Sequence, residues 1–142
     1  MMEWTEHFAT GLPAIDAQHR TLIDNLNRLE PLLTTTNPTR EECEFIINLV
    51  AYLESYTKTH FRFEEQCMER HRCPAHQKNK EAHENFLRIF QRFQEQYTQE
   101  GFRPELLKSL HDTATHWIRD HILHIDVQLR PCLEESAAPT SK

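Results

Sequence analysis

Glycine is nearly missing from this chain: 2 of its 142 residues, too few for the tight turns an all-β fold needs. An excess of basic charge is missing too. Lysine and arginine number 16 against 22 acids, a formal charge of −6, so there is no basic stripe of the kind a nucleic-acid binder carries. Hydrophobic residues make up 38% of the chain, and no apolar run approaches the ~20 residues of a membrane span. The N-terminal stretch MMEWTEHFAT lacks the charged-then-apolar pattern of a secretory leader. These absences predict a cytoplasmic protein with neither nucleic-acid nor membrane partners. Four cysteines, Cys43, Cys67, Cys73 and Cys132, form no CxxC or CxxH pair, which argues against a zinc knuckle. Without a leader they are expected as free thiols.

What the chain has in abundance is histidine, 10 residues against 3 Met and 2 Trp. Its length suits one domain able to bury a core. Breakers divide it into four long segments. Gly11 and Pro13 end an N-terminal arm carrying Trp4 and Phe8. Asn37-Pro38 opens the second segment, with Pro38 suited to the first turn of a helix. Cys73-Pro74 opens the third, and Gly101 and Pro104 separate it from the fourth, with Gly101 as a helix C-cap. Pro131 closes the fourth segment, and the domain is expected to span 1–133, with 134–142 a disordered tail or linker.

Each segment repeats apolar residues at helical spacing. The first runs Ile15, His19, Leu22, Leu26, Leu29, Leu33; the second runs Ile46, Leu49, Leu53, Tyr56, His60, Phe63, Cys67. The third runs His76, Asn79, His83, Phe86, Phe90, Phe93, Tyr97. The fourth runs Leu110, Ala114, Trp117, His121, flanked by Ile118, Ile122, Ile125 and Leu129. Four such helices with short connections predict an all-α, up-down-up-down antiparallel four-helix bundle with an N-terminal arm.

Polar residues interrupt the inward stripes. His19, His60, His83 and His121 occupy slots otherwise held by Leu, Phe or Trp. Glu64 follows His60 by four residues, Asn79 precedes His83 by four, and each such pair shares a helix face. Asp126 follows His121 by five. From the turn near residue 72, the His60–Glu64 pair lies ~10 residues back and the Asn79–His83 pair ~9 forward, which puts them at one height in an antiparallel bundle. From the turn near residue 101 the third and fourth sites lie ~20 and ~22 residues away, again level. Helix one fits less well, since helix two would overhang it by about 15 Å or start later than Pro38.

A single inward histidine is ordinarily a hydrogen-bonded core residue. Four in one layer with two carboxylates are another matter, because an unpaired carboxylate in an apolar core costs several kcal/mol. A bound cation removes that cost by taking acids and imidazoles as ligands. Imidazole plus carboxylate without thiolate suits Fe, Mn or Zn over Cu(I) or Ca. The donors exceed what one tetrahedral ion can use, so two ions bridged by Glu64 and Asp126 are the economical arrangement. Trp117, Phe86, Phe90 and Phe93 are expected to pack the core and keep water from the site. Cys67 reads as a small core hydrophobe, with a redox-active thiol the lesser alternative, and His71 continues its stripe. His124 is either a hydrogen-bonding neighbour of the site or exposed. His7, His111 and His116 fit surface or packing positions, and Glu65, Glu69 and Lys80 a solvated face.

Taken together, Trp4, Gly11, IDAQH ending at His19, HFRFEE beginning at His60, Cys73-Pro74 followed by Ala82-His83, and HILHID from His121 to Asp126 resemble the hemerythrins, specifically the bacterial ones. The resemblance covers Trp4 to Leu129. It implies a non-heme di-iron centre that binds dioxygen, with two Fe ions, carboxylate- and oxo- or hydroxo-bridged. It further implies His19 and His60 on one iron, His83 and His121 on the other, and Glu64 and Asp126 between them. The five-residue step to Asp126 turns an ideal helix about 140° from a common face; a local π-type widening would reconcile it. The family's usual pattern has a histidine where this chain has Asn79. Asn79 is then a weak or water-mediated ligand, or leaves a position open; His76, about 10 Å away along the axis, is a poor replacement.

The resemblance therefore implies dioxygen binding for sensing, carriage or storage, with an extra open position that admits peroxide, azide or nitric oxide. The variant is also similar to hemerythrin domains fused to diguanylate cyclases, so a redox, nitric oxide or peroxide sensor with a signalling output domain is an alternative. A di-iron peroxidase or oxidase is another, although no separate substrate pocket or general base is legible. A metal-free interaction bundle is the third.

Overall fold

The computed structural model describes residues 2–132. Four helices carry the fold: α1 (Pro13–Asn27), α2 (Arg40–Arg70), α3 (His76–Glu100) and α4 (Pro104–His124). Three short 3-10 turns, Glu6–Phe8, Glu30–Leu32 and Asp126–Gln128, lie before, between and after them. α1 packs on α2 and α4, and α3 packs on the same two. The helices therefore close into a ring in chain order, the all-α up-down-up-down bundle that the periodicity predicts. Among the described residues no helix is long and apolar enough to cross a membrane. The expected tail at 134–142 lies outside the described residues.

Local chemistry sets the helix ends. α2 begins at Arg40 rather than at Pro38, because Thr39 caps it. The Thr39 hydroxyl accepts from the Glu42 amide at 3.1 Å, and the Glu42 carboxylate accepts from the Thr39 amide at 2.8 Å, a reciprocal capping box. α2 ends with the Arg72 amide donating to the Glu69 carbonyl and the Cys73 amide to the Met68 carbonyl at 2.8 Å. This 6→1 closure demands a left-handed residue, and Arg72 supplies it at φ 55. α3 stops at Gly101, φ 75, as expected of a C-cap.

The mismatch between the first two helices is an overhang. α2 runs ~30 Å from its start to His60, whereas α1 runs only ~12 Å from His19 to its end, at ~1.5 Å per residue. The uncovered face is taken by the connection, whose Leu29 and Leu32 join the main core. The N-terminal arm adds Met2 and Phe8 to that core. It is pinned by Thr10, whose amide and hydroxyl both donate to Asp16 Oδ1 at 2.9 Å. On α2 the buried residue is Thr57 rather than Tyr56, and Phe61 rather than Phe63.

α4 does not run on to Pro131. It stops at His124, turns at Ile125 (φ −119, ψ −57), and continues as the 3-10 turn from Asp126. The widened π turn expected between His121 and Asp126 is replaced by a helix end and a tightened one. The chain beyond folds back on the α2–α3 turn, bringing the Cα atoms of Cys73 and Cys132 to 5.7 Å, and the two are joined. The expectation of four free thiols is thereby corrected. Bridging distance was reached through this return of the chain, not through sequence spacing. Cys43 and Cys67 remain free, and burial pushes the Cys67 thiol above its ordinary pKa, as suits a packing residue.

A second, smaller apolar cluster forms around this bridge from Ile15, Cys67, Met68, Cys73, Leu129 and Cys132. Because the bridge spans a separation of 59 residues, it removes substantial freedom from the unfolded chain. Replacing both cysteines by serine should lower the unfolding free energy by about 2–4 kcal/mol. Urea titration of the oxidised protein and the double variant checks this; coincident midpoints would show that the bridge does not stabilise the fold.

Candidate metal centre

Each helix brings polar residues to the seam at one level. On α1, His19 lies between Ile15 of the smaller cluster and Leu22 of the main core. On α2, His60 and Glu64 lie between Leu53 and Cys67; on α3, Asn79 and His83 lie between Cys73 and Phe86. On α4 and the turn that follows it, His121 and Asp126 lie between Ile118 and Leu129. The polar layer is thus capped by hydrocarbon on both sides, and none of these seven residues is more than 5% exposed. All six predicted donors and Asn79 are brought together here.

The carboxylates lie between the imidazoles. Glu64 Oε2 is 3.2 Å from His19 Nε2 and 3.4 Å from His60 Nε2, while its Oε1 is 3.1 Å from His83 Nε2. Asp126 Oδ2 is 3.1 Å from His19 Nε2, and its Oδ1 is 3.1 Å from His121 Nε2. Each acid therefore turns one oxygen toward the His19 side and the other toward the His83–His121 side. The donor atoms of Glu64, His83, His121 and Asp126 lie within 4.8 Å of one another, as do those of His19, His60 and Glu64. The break at Ile125 is what allows Asp126 to enter the layer, since a continued α-helix would aim it away.

Outer partners fix the rings. His60 Nδ1 lies 2.6 Å from Gln18 Oε1, and His83 Nδ1 lies 2.8 Å from Glu65 Oε2. In each case an acceptor takes the Nδ1–H, which leaves Nε2 as the inward lone pair. Neither partner was anticipated, and Glu65 is corrected from a solvated face to a half-buried acceptor. Its signal was present: position 65 stands one step from the seam on α2, where a long side chain can reach α3. Stacked rings support the layer: Phe61 lies on His83 with centroids 3.6 Å apart, and Trp117 lies on His121 at 4.3 Å and on Phe86 at 4.2 Å.

Burial alone would depress the imidazolium of His19. The Asp126 and Glu64 carboxylates outweigh it and hold His19 up at about 10. His83 is raised to about 9 against the same burial, chiefly by Glu64 and then Glu65. Burial would raise Glu64, but His19, His60 and His83 keep it well below the usual carboxylate range. The acids thus demand positive charge around them.

Protons do not fill that demand well. His83 Nε2, His121 Nε2, Asp126 Oδ1 and Asn79 Oδ1 are buried without a properly directed hydrogen-bond partner. Donor atoms that approach to about 3 Å yet aim past each other converge on common points, as ligands of a cation do. The residues present fit a metal ion, and with two carboxylates shared between two sets of imidazoles they fit two. Asn79 is different: its Nδ2 donates to Glu64 Oε1 at 2.9 Å and lies 3.2 Å from Met68 Sδ. The amide nitrogen is thereby committed to the carboxylate.

The other histidines stand apart. His76 pairs loosely with Glu69 at 3.8 Å and does not replace a ligand. His111 is buried, with carboxylates of Asp112 at 3.8 Å and Glu30 at 4.0 Å. His7, His116 and His124 are exposed, so of its two readings His124 takes the exposed one. Between α3 and α4 lies a groove of about 760 Å³ that reaches Trp117 and His121, a pocket that sequence reasoning did not foresee.

Comparison with known proteins agrees with the geometry. Residues 10–133 match the Hemerythrin HHE cation binding domain. The chain is similar to Bacteriohemerythrin of Stenotrophomonas maltophilia (strain R551-3), 29% identical over 122 residues, which is 86% of this chain and 74% of that one. It is 27% identical to Bacteriohemerythrin of Pseudomonas aeruginosa (strain LESB58) over 87% of this chain and 75% of the relative. With Bacteriohemerythrin of Clostridium acetobutylicum it shares 26% over 89% and 96%. A four-helix bundle with this buried His, Glu and Asp layer, matched along nearly its whole length, belongs to the hemerythrin family.

Proposed function

We propose that this chain binds dioxygen at a pair of iron ions, for sensing, carriage or storage. The observation that carries the reading is the two-sided placement of Glu64 and Asp126, each turning one oxygen to either set of imidazoles. His19 and His60 would hold one ion, His83 and His121 the other, and the two acids would bridge them. Ferrous ions supply the electrons and open coordination positions that reversible capture of dioxygen requires. The residues around them keep water out: Phe61, Phe86 and Trp117 pack against the ligand rings, and a dry wall favours a long-lived adduct.

Asn79 adds no imidazole, and its amide nitrogen is engaged by Glu64. A coordination position on the His83–His121 side is therefore left for an exogenous ligand, and small ligands such as azide, peroxide or nitric oxide gain access. The groove at Trp117 and His121 favours a second reading, a peroxidase or oxidase that takes a reducing co-substrate there. Sustained peroxide turnover with such a reductant supports that reading; stoichiometric, reversible oxygen uptake supports the first.

Anaerobic reconstitution should give two ferrous ions per chain and a rise in the thermal midpoint, since an ion that binds only the folded state stabilises it. Air should then develop visible absorbance that fades on deoxygenation. Well-folded protein that retains no stoichiometric iron ends the proposal. Glu64→Gln, which weakens a donor facing both sides, should lower iron content below two per chain, as read by elemental analysis. Asn79→His should lengthen the lifetime of the oxygenated protein, followed by its absorbance; an equal or shorter lifetime would count against the open position.

A further inference from the structure

The two halves of the centre are held from behind by different chemistry. His60 Nδ1 meets the neutral amide oxygen of Gln18 at 2.6 Å, whereas His83 Nδ1 meets the carboxylate of Glu65 at 2.8 Å. Glu65 Oε2 belongs to a half-buried side chain, 23% exposed, so water screens its charge only in part. A carboxylate behind a ligating imidazole draws the Nδ1 proton toward itself and makes Nε2 the stronger donor, an effect an amide oxygen reproduces poorly.

The stronger partner stands on the side where Asn79 draws on the shared acid. Asn79 contributes no ring nitrogen, and its Nδ2 takes up part of the lone-pair density of Glu64 Oε1 at 2.9 Å, the oxygen that faces His83 at 3.1 Å. The oxygen that faces His19 and His60, Glu64 Oε2, has no amide upon it. The His83–His121 position is thus weakened by Asn79 at the shared acid and strengthened from behind.

We propose that Glu65 is a positioning residue that acts through His83 to retain the second metal ion, offsetting what the Asn79 amide withdraws from Glu64; this rests on the two-ion reading above. Glu65→Gln keeps the length and the acceptor and removes the charge, so it makes the His83 side resemble the Gln18 side. Holo protein loaded with Fe(II) alone under anaerobic conditions is mixed with excess ferrous chelator, and release is followed by absorbance. In Glu65→Gln one ion should leave about 10–100-fold faster while the other leaves at the wild-type rate. Gln18→Glu should slow the ion whose rate Glu65→Gln leaves unchanged.

A role confined to holding the ring in place would be met equally by glutamine. Superimposed release curves for wild type and Glu65→Gln, or acceleration of both ions alike, would overturn the inference and leave the two-ion reading standing. Wild-type protein that holds fewer than two ions would overturn both.

Discussion

Everything in this fold is arranged around two carboxylates buried away from bulk solvent. Glu64 and Asp126 are 0% and 1% exposed, with apolar clusters above and below. A carboxylate so placed costs several kcal/mol unless positive charge meets it closely. The imidazoles that surround the acids meet that need in part by holding protons far above their ordinary range, as at His19 and His83. They do so with poor directionality, leaving the inward nitrogens of His83 and His121 without a true hydrogen bond. A cation among these donors would satisfy the same oxygens without the directional demand of a proton. The metal is therefore best regarded as the counter-charge this interior is built to receive.

That demand explains features of the scaffold that packing alone does not. Asp126 must enter a layer to which an unbroken α4 would not point it. The helix stops at His124, and a tightened turn re-aims the next residues. A free end of this kind would fray. Here Leu129 is buried in the smaller cluster and Cys132 is bonded to Cys73 of the α2–α3 turn. The bridge thus anchors the segment that carries one of the two acids to the end of the helix that carries the other. Position and stability are served by the same clasp.

Much of this was legible in the sequence, and the limits are physical. Depth along an antiparallel bundle depends only on rise per residue, so counting from the turns placed His60, Glu64, Asn79, His83, His121 and Asp126 in one layer. Rotation about the axis is less forgiving. After Leu53 either the third or the fourth residue can face inward, and apolar character favoured Tyr56, whereas small Thr57 takes the buried place. Side chains that act across a helix boundary escape periodicity altogether: Gln18 and Glu65 sit beside the seam on their own helices, and only the neighbouring helix gives them meaning. The Cys73–Cys132 pair was hidden for a related reason, since its closure depends on where the chain goes after a helix end that no breaker marks.

The bundle and its buried acids follow from burial and charge. Asn79 is a different kind of residue. Its amide offers hydrogens to Glu64 where an imidazole nitrogen would offer a lone pair to a cation, so it competes for the shared acid on one side only. One buried amide thereby makes the two sides of the shared acid unequal. Behind His83 the bundle presents a carboxylate and behind His60 an amide, so the inequality reaches the residues that hold the ligands. On the two-ion reading each half has two imidazoles and a share of both acids, so the difference between the halves lies in what stands beside and behind those donors rather than in their number.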